Sequence, residues 1–270
     1  IPKYHSNTAR KQLAKYDSVS NEPTACEETT GKVAIFTTCY GNYNRPDLVN
    51  DLVAVYEHND IKIEMCKQEK CCGMPKLELG DLEAVEQLKN NNIPELVRLI
   101  DAGWDIVAPV PSCVLMFKQE LPLMFPNDED VAKVRDAMFD PFEYLMLRKK
   151  GGLLKTEFKE EIGDVSYQVA CHLRVQNIGL KTKELLELIP NTSVKAHERC
   201  SGHDGTYALK SEFHEISKKI ARPVVNRVDK DQGATFSSDC PMAADHIAVG
   251  LKNEKSVKNP MSLLKQAYGL

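Results

Sequence analysis

No stretch of this chain stays apolar for long. Its longest apolar runs, typified by Ile106 to Val110, fall far short of the roughly 20 residues a membrane-crossing helix needs. That excludes a direct membrane span of the helical kind. The opening Ile-Pro-Lys-Tyr-His lacks the apolar centre of a secretory signal. It also begins with Ile rather than Met, which reads as a processed or truncated chain. Neither a P-loop nor a Gly-x-Gly-x-x-Gly turn occurs, and Gly202-His-Asp-Gly205 has the wrong spacing for one. No nucleophile–His–Asp constellation stands out. Hydrolases and nucleotide-binding enzymes are therefore set aside. An excess of one charge is missing too. With 35 Lys and Arg against 39 Asp and Glu, the net charge is −4, which offers no global footprint for nucleic acid.

What the chain does have is cysteine. Nine occur: Cys26, Cys39, Cys66, Cys71, Cys72, Cys113, Cys171, Cys200 and Cys240. An odd number in a chain of 270 residues does not suit a small disulfide-stapled scaffold. The reading is a cytoplasmic protein, where patterned cysteines bind metal or do redox work. A hydrophobic content of 42% is ample for a real core.

Strand-like and helix-like segments alternate. Residues 1–30 are polar and aperiodic and read as a linker or tail. Strands are predicted at Val33–Thr38, Ile61–Met65 and Asp105–Val110. Helices are predicted from Pro46, over 81–100, over 113–123, and over 128–149 with a break at Asp140-Pro141. Gly151-Gly152 marks a boundary. Strands at 165–170, 192–197 and 235–237 then alternate with helices at 181–188, 206–220 and 242–252. The fold class is thus α/β: two pseudo-symmetric repeats, 31–155 and 156–270, each a small parallel sheet flanked by helices.

The repeats also match residue by residue. Gly31 to Cys39 aligns with Gly163 to Cys171, Cys71-Cys72-Gly73 with Cys200-Ser201-Gly202, and Cys113 with Cys240. The offsets are nearly constant at 132, 129 and 127 (171 − 39, 200 − 71, 240 − 113), the mark of an internal duplication. Each matched cysteine follows a predicted strand, where open parallel sheets gather ligands. Cys39, Cys71, Cys72 and Cys113 supply four thiolates, the ligand count of a common cluster or a closed zinc site. Cys171, Cys200 and Cys240 supply three, with His203, His172 or His246 as candidate fourth ligands. Gly73 and Gly202 let backbone amides approach the sulfurs. Cys26 and Cys66 lie outside the pattern and read as small buried hydrophobes. His58, His197 and His214 read as surface or satisfied histidines, and Asp204 and Asp239 as helix caps. Lys67 and Lys70 stand close enough in sequence to lower a thiolate pKa, or are simply solvated.

These residues resemble the cysteine-rich CCG domain family. The segments that carry the likeness are Thr38-Cys-Tyr-Gly-Asn-Tyr-Asn44, Cys71-Cys-Gly-Met-Pro-Lys-Leu-Glu-Leu-Gly-Asp81, Pro109-Val-Pro-Ser-Cys113, Cys171-His-Leu-Arg174, Arg199-Cys-Ser-Gly-His-Asp-Gly205 and Ser238-Asp-Cys-Pro-Met242. The family includes the B subunit of heterodisulfide reductase and the C subunit of anaerobic glycerol-3-phosphate dehydrogenase. This sequence most resembles the heterodisulfide-reductase-related branch, often encoded beside rubrerythrin. The resemblance implies a [4Fe-4S] cluster, of cubane or non-cubane type, at the first site, and zinc or a second iron–sulfur cluster at the second. It implies electron relay from a flavin dehydrogenase or ferredoxin domain to a disulfide or quinone, with rubrerythrin another redox partner. Any contact with a membrane would be peripheral, through a partner. Val110, Ser237 and Ser201 stand where the family pattern has cysteine, leaving four thiolates in the first half and three in the second.

Two functional classes follow. One is an iron–sulfur electron-transfer subunit of an oxidoreductase. The other is a zinc-stapled structural or docking module without redox activity. Thiol–disulfide exchange at Cys71-Cys72 is a third reading, and it leaves five patterned cysteines unexplained.

Overall fold

A computed structural model describes residues 3–14, 16, 22–205 and 207–270. Part of the expected tail (residues 1, 2, 15 and 17–21) and Thr206, the expected start of a helix, lie outside the described residues. The chain divides into two compact units, one reaching to Lys155 and one spanning Thr156–Leu270.

The first unit is built on β1 (Lys32–Ile35), β2 (Lys62–Met65), β3 (Asp105–Val107) and β4 (Met138–Phe139), all parallel, in the order β2-β1-β3-β4. Strands covered on both faces are apolar throughout rather than alternating, and Val33 to Phe36 and Ile106 to Ala108 are buried accordingly. Helix Pro46–His58 starts on a proline whose fixed φ suits a first turn. It buries Leu48, Val49, Leu52, Val53 and Tyr56.

The second unit repeats the plan. β5 (Asp164–Gln168), β6 (Ser193–His197), β7 (Thr235–Ser238) and β8 (Ser256–Val257) are parallel, in the order β6-β5-β7-β8. Two parallel sheets of one topology, each flanked by helices, bear out the α/β two-repeat reading. The helices Leu82–Asp101 and Ser211–Lys230 extend the match. Each has 20 residues and an internal proline, Pro94 and Pro223, twelve residues past its start (94 − 82 and 223 − 211). The prolines are 129 apart (223 − 94), the offset that separates Cys71 from Cys200.

Several elements differ from expectation. The 128–149 helix is two helices, Glu129–Ala137 and Pro141–Lys150, with β4 between them. A two-residue strand is too short for any period to register. The break at Asp140 is a capping box, its carboxylate reciprocated by Glu143. Helix 113–123 begins at Pro111 and passes through a π-helical turn, Met116–Glu120, just before Pro122, which cannot donate to a preceding carbonyl. The helix expected to end at Ile220 runs on through Pro223 to Lys230. An interior proline costs about 3 kcal/mol, but Ala221, Val224, Val225 and Val228 pack there against Phe236, Ala244 and Ile247. Helix Pro260–Tyr268 and β8 were not foreseen.

Candidate metal centre

In both units the first strand is central, and the chain leaves it first to one side and later to the other. Such a reversal marks the usual place for a ligand in an open parallel sheet, beyond the carboxyl ends of the two inner strands. The matched cysteines lie on the loops that follow the strands.

In the first unit, Cys39 starts a short helix directly after β1. Thr38 precedes it with a φ of 66°, left-handed for a residue that carries a Cβ, and its hydroxyl accepts the Gly41 N–H at 2.9 Å. Strain of this kind costs on the order of 1 kcal/mol and is held in place by surrounding contacts. Here the brace is Glu69. Its carboxylate accepts the Thr37 N–H at 2.7 Å and the Thr37 hydroxyl, and pairs with Arg10 at 3.1 Å. Burial pushes the Glu69 carboxyl up to about 7, against the pull of Arg10. Arg10 belongs to a short helix, Ala9–Gln12, inside the expected tail, and its guanidinium also donates to the Cys66 carbonyl.

The Cys71–Cys72 loop is held from the other side. Asn92, buried in helix Leu82–Asp101, accepts the Lys70 N–H at 2.7 Å and donates to the Cys71 carbonyl at 3.0 Å. Cys113 lies in helix Pro111–Leu115, which follows β3.

The four thiols form a row of hydrogen-bonded neighbours: Cys39 to Cys71, Cys71 to Cys72, and Cys72 to Cys113. Cys39 is exposed, Cys71 half-buried, and Cys72 and Cys113 buried. Hydrogen bonds from Cys39 and Cys72 pull the Cys71 thiol down, helped by the Gly73 N–H and by Lys76. The nearby charge is that of Lys76 rather than of Lys67, whose side chain is largely solvated. The same bonds, together with burial, push Cys39 and Cys72 up. Gly73 has a φ of 102°, a left-handed turn that brings its amide to the Cys71 sulfur. All-sulfur donors from three loops suit a thiolate-ligated cluster. Among the described residues, no three or more histidine, cysteine or acidic side chains surround a single-ion position.

The second unit brings together fewer of its candidates. Cys171 starts a short helix after β5, as Cys39 does after β1. It hydrogen-bonds Cys200, whose sulfur also accepts the Gly202 N–H at 3.4 Å. Cys171 is pushed up by that bond and by burial, while Cys200 is drawn down to about 6 by the same bond. Cys240 takes the backbone N–H groups of Ala243 and Met242, and burial pushes its thiol up to about 11. Ser201 is buried and accepts the His203 N–H at 3.2 Å. Ser237 lies within β7 and donates to the Lys258 carbonyl at 2.7 Å.

His203 faces His246 with 6.3 Å between ring centroids, and His246 faces His214 at the same distance. Burial and the neighbouring His246 lower His203 to about 4. His197 is satisfied, as expected, by Asp231 at 2.6 Å. Asp239, expected to cap a helix, does something else. It is buried and accepts from the Tyr167 hydroxyl and, at 2.7 Å, from Thr182. Sequence reasoning passed over Glu69 and Asn92. Both sit in polar runs, Lys67-Gln68-Glu69-Lys70 and Asn90-Asn91-Asn92, so the sequence does not set them apart from solvated residues.

Fold and loops together define a duplicated, cysteine-rich α/β protein. The model of the CCG cysteine-rich domain family matches residues 33–118, which bears out the resemblance drawn from the motifs. The chain is 26% identical, over 99% of its length and 65% of the relative's, to the C subunit of anaerobic glycerol-3-phosphate dehydrogenase from Escherichia coli (strain K12). It is 24% identical to the B subunit of fumarate reductase (CoM/CoB) from Methanothermobacter marburgensis, over 88% of this chain and 46% of that one. It is 23% identical to lactate utilization protein A of Bacillus pumilus, over 77% of this chain and 87% of the relative. The chain thus spans 65% and 46% of the first two relatives. Among the described residues, no helix is long and apolar enough to cross a membrane.

Proposed function

We propose that the first unit holds an iron–sulfur cluster on Cys39, Cys71, Cys72 and Cys113, and that the chain is an electron-transfer subunit of an oxidoreductase. The observation that carries this reading is the row of four thiols gathered from three loops at the carboxyl edge of one parallel sheet. Iron–sulfur subunits of oxidoreductases are the natural class for such a chain, and two relatives are named as subunits of a dehydrogenase and a reductase. When bound, a cluster supplies one-electron chemistry. The chain's residues do the rest. The thiols give up their protons to become ligands, and thiol and amide hydrogen bonds favour the thiolate at Cys71. Burial of Cys72 and Cys113 keeps water from half of the ligand set. Exposed Cys39 leaves the site open toward a redox partner, such as a flavin dehydrogenase or a ferredoxin domain, with a disulfide or quinone beyond.

At the second site Cys171 and Cys200 meet while Cys240 and His203 have other partners, so zinc or a second cluster there requires Cys240 and His203 to turn toward that pair. The test is anaerobic purification followed by iron, zinc and sulfide analysis and EPR of the oxidised and reduced protein. About four iron and four sulfide per chain with a redox-responsive signal supports one cluster. Twice that amount places a second cluster at Cys171 and its partners. Zinc without sulfide overturns the electron-transfer reading in favour of a metal-stapled module.

A further inference from the structure

We infer that Asn92 is a positioning residue that fixes how the Cys71–Cys72 loop presents its sulfurs. Residues 66–73 connect β2 to helix Met74–Glu78 without helix or strand, so their backbone groups depend on partners from elsewhere. Asn92 is one such partner, 1% exposed and set in the middle of a 20-residue helix. Asparagine is a poor helix former, so local propensity gives no reason for it there. Its side-chain amide accepts from Lys70 and donates to Cys71. These two bonds bracket the peptide plane leading into the cysteine pair and tie it to a rigid element.

The duplication supplies an internal comparison. At the 129-residue offset shared by Cys71 and Cys200 and by Pro94 and Pro223, Asn92 corresponds to Ala221 (221 − 92). Ala221 packs against the Gly202 turn through its backbone N and its Cβ. It has no side-chain amide, so this grip has no counterpart at that position of the second unit, where Gln168 instead donates to the Arg199 carbonyl at 3.1 Å. The inference rests on the cluster reading for its redox consequence, but the loop geometry stands without it.

The test uses the full chain with Asn92→Ala. The control is Asn91→Ala, whose side chain reaches the Gln68 carbonyl at 3.2 Å, three residues before Cys71. In metal-free protein, iodoacetamide labelling of Cys71 relative to Cys39, followed by mass spectrometry, should rise about tenfold in N92A and stay at the wild-type value in N91A. In the reconstituted protein, N92A should shift the midpoint potential and release iron to a chelator about tenfold faster. A general loss of stability would raise labelling at Cys39 and Cys71 alike and leave the potential in place. Asn92→Asp keeps the acceptor for Lys70 and removes the donor to Cys71. It should give an intermediate labelling ratio, and it serves if N92A does not fold. A labelling ratio unchanged in both Asn92 variants overturns the inference. Wild-type protein that takes up no iron overturns the cluster reading instead and leaves the labelling result to decide this one.

Discussion

Replacing each motif glycine with alanine should separate two sites that look alike in sequence. Gly73 and Gly202 both follow a cysteine motif and both have positive φ, 102° and 74°. A Cβ in that region costs about 1–2 kcal/mol, and both variants lose that much. Their surroundings then diverge. A Cβ on Gly73 would lie 3.3 Å from the terminal methyl of Met116 and 3.9 Å from a Leu88 methyl, flexible ends that can yield. A Cβ on Gly202 would lie 2.2 Å from the Ser217 carbonyl oxygen and 3.0 Å from the Ala221 nitrogen. Both atoms belong to the backbone of helix Ser211–Lys230, so loop and helix must part. Overpacking of that kind adds roughly 1–3 kcal/mol.

At about 4 °C per kcal/mol for a domain of this size, G73A should lower a melting midpoint by roughly 6 °C and G202A by roughly 14 °C. Far-UV circular dichroism reads both transitions. The fluorescence of Trp104, the single tryptophan, reports on the first unit, so G73A should move it directly. G202A melting at or above G73A would refute the argument, because it would show that the Gly202 turn does not lie against a helix backbone.

Two further outcomes follow from the same geometry. Cys72→Ser gives the first site the Cys-Ser-Gly of the second. Anaerobically reconstituted protein should then lose most of its first-site iron and sulfide, whereas Cys66→Ser, at a buried thiol outside the row, should keep them; equal iron in wild type and C72S would remove Cys72 from the ligand set. Asp231 accepts from Ser166 and His197, each at 2.6 Å, and pairs with Lys195. Burial opposes its ionisation, but hydrogen bonds from Lys195, Ser166 and His197 prevail and hold the carboxyl below its ordinary range. A depressed carboxyl stabilises the fold fully above an ordinary pKa of about 4, and that contribution drains away as the pH falls through the lower folded value. Asp231→Ala should therefore cost about 2 kcal/mol at pH 7, read by urea denaturation, and less near pH 2. An equal cost at both values would assign the effect to packing.

The periods and motifs of the sequence were enough for the α/β class, the duplication and the seven patterned cysteines. An apolar run such as Val33 to Phe36, a proline at a first helical turn and a Cys-Cys-Gly are set by neighbours a few residues away, and near neighbours are what a sequence displays. Short elements escaped. Met138–Phe139 and Ser256–Val257 are strands only because β3 and β7 lie beside them.

Tertiary structure alone decided which candidates meet. The strand order, with parallel crossovers between its members, gathers Cys39, Cys71, Cys72 and Cys113 into one row. Its counterpart pairs Cys171 with Cys200, while Cys240 takes backbone amides and His203 turns to His246. The residues that grip the first site, Glu69 on Thr37 and Asn92 on Cys71, act across 32 and 21 positions. Asp239 reaches Tyr167 across 72. A buried polar group takes whichever partner the fold brings within hydrogen-bond reach, and at such separations that choice belongs to the packed chain and leaves no local pattern to read.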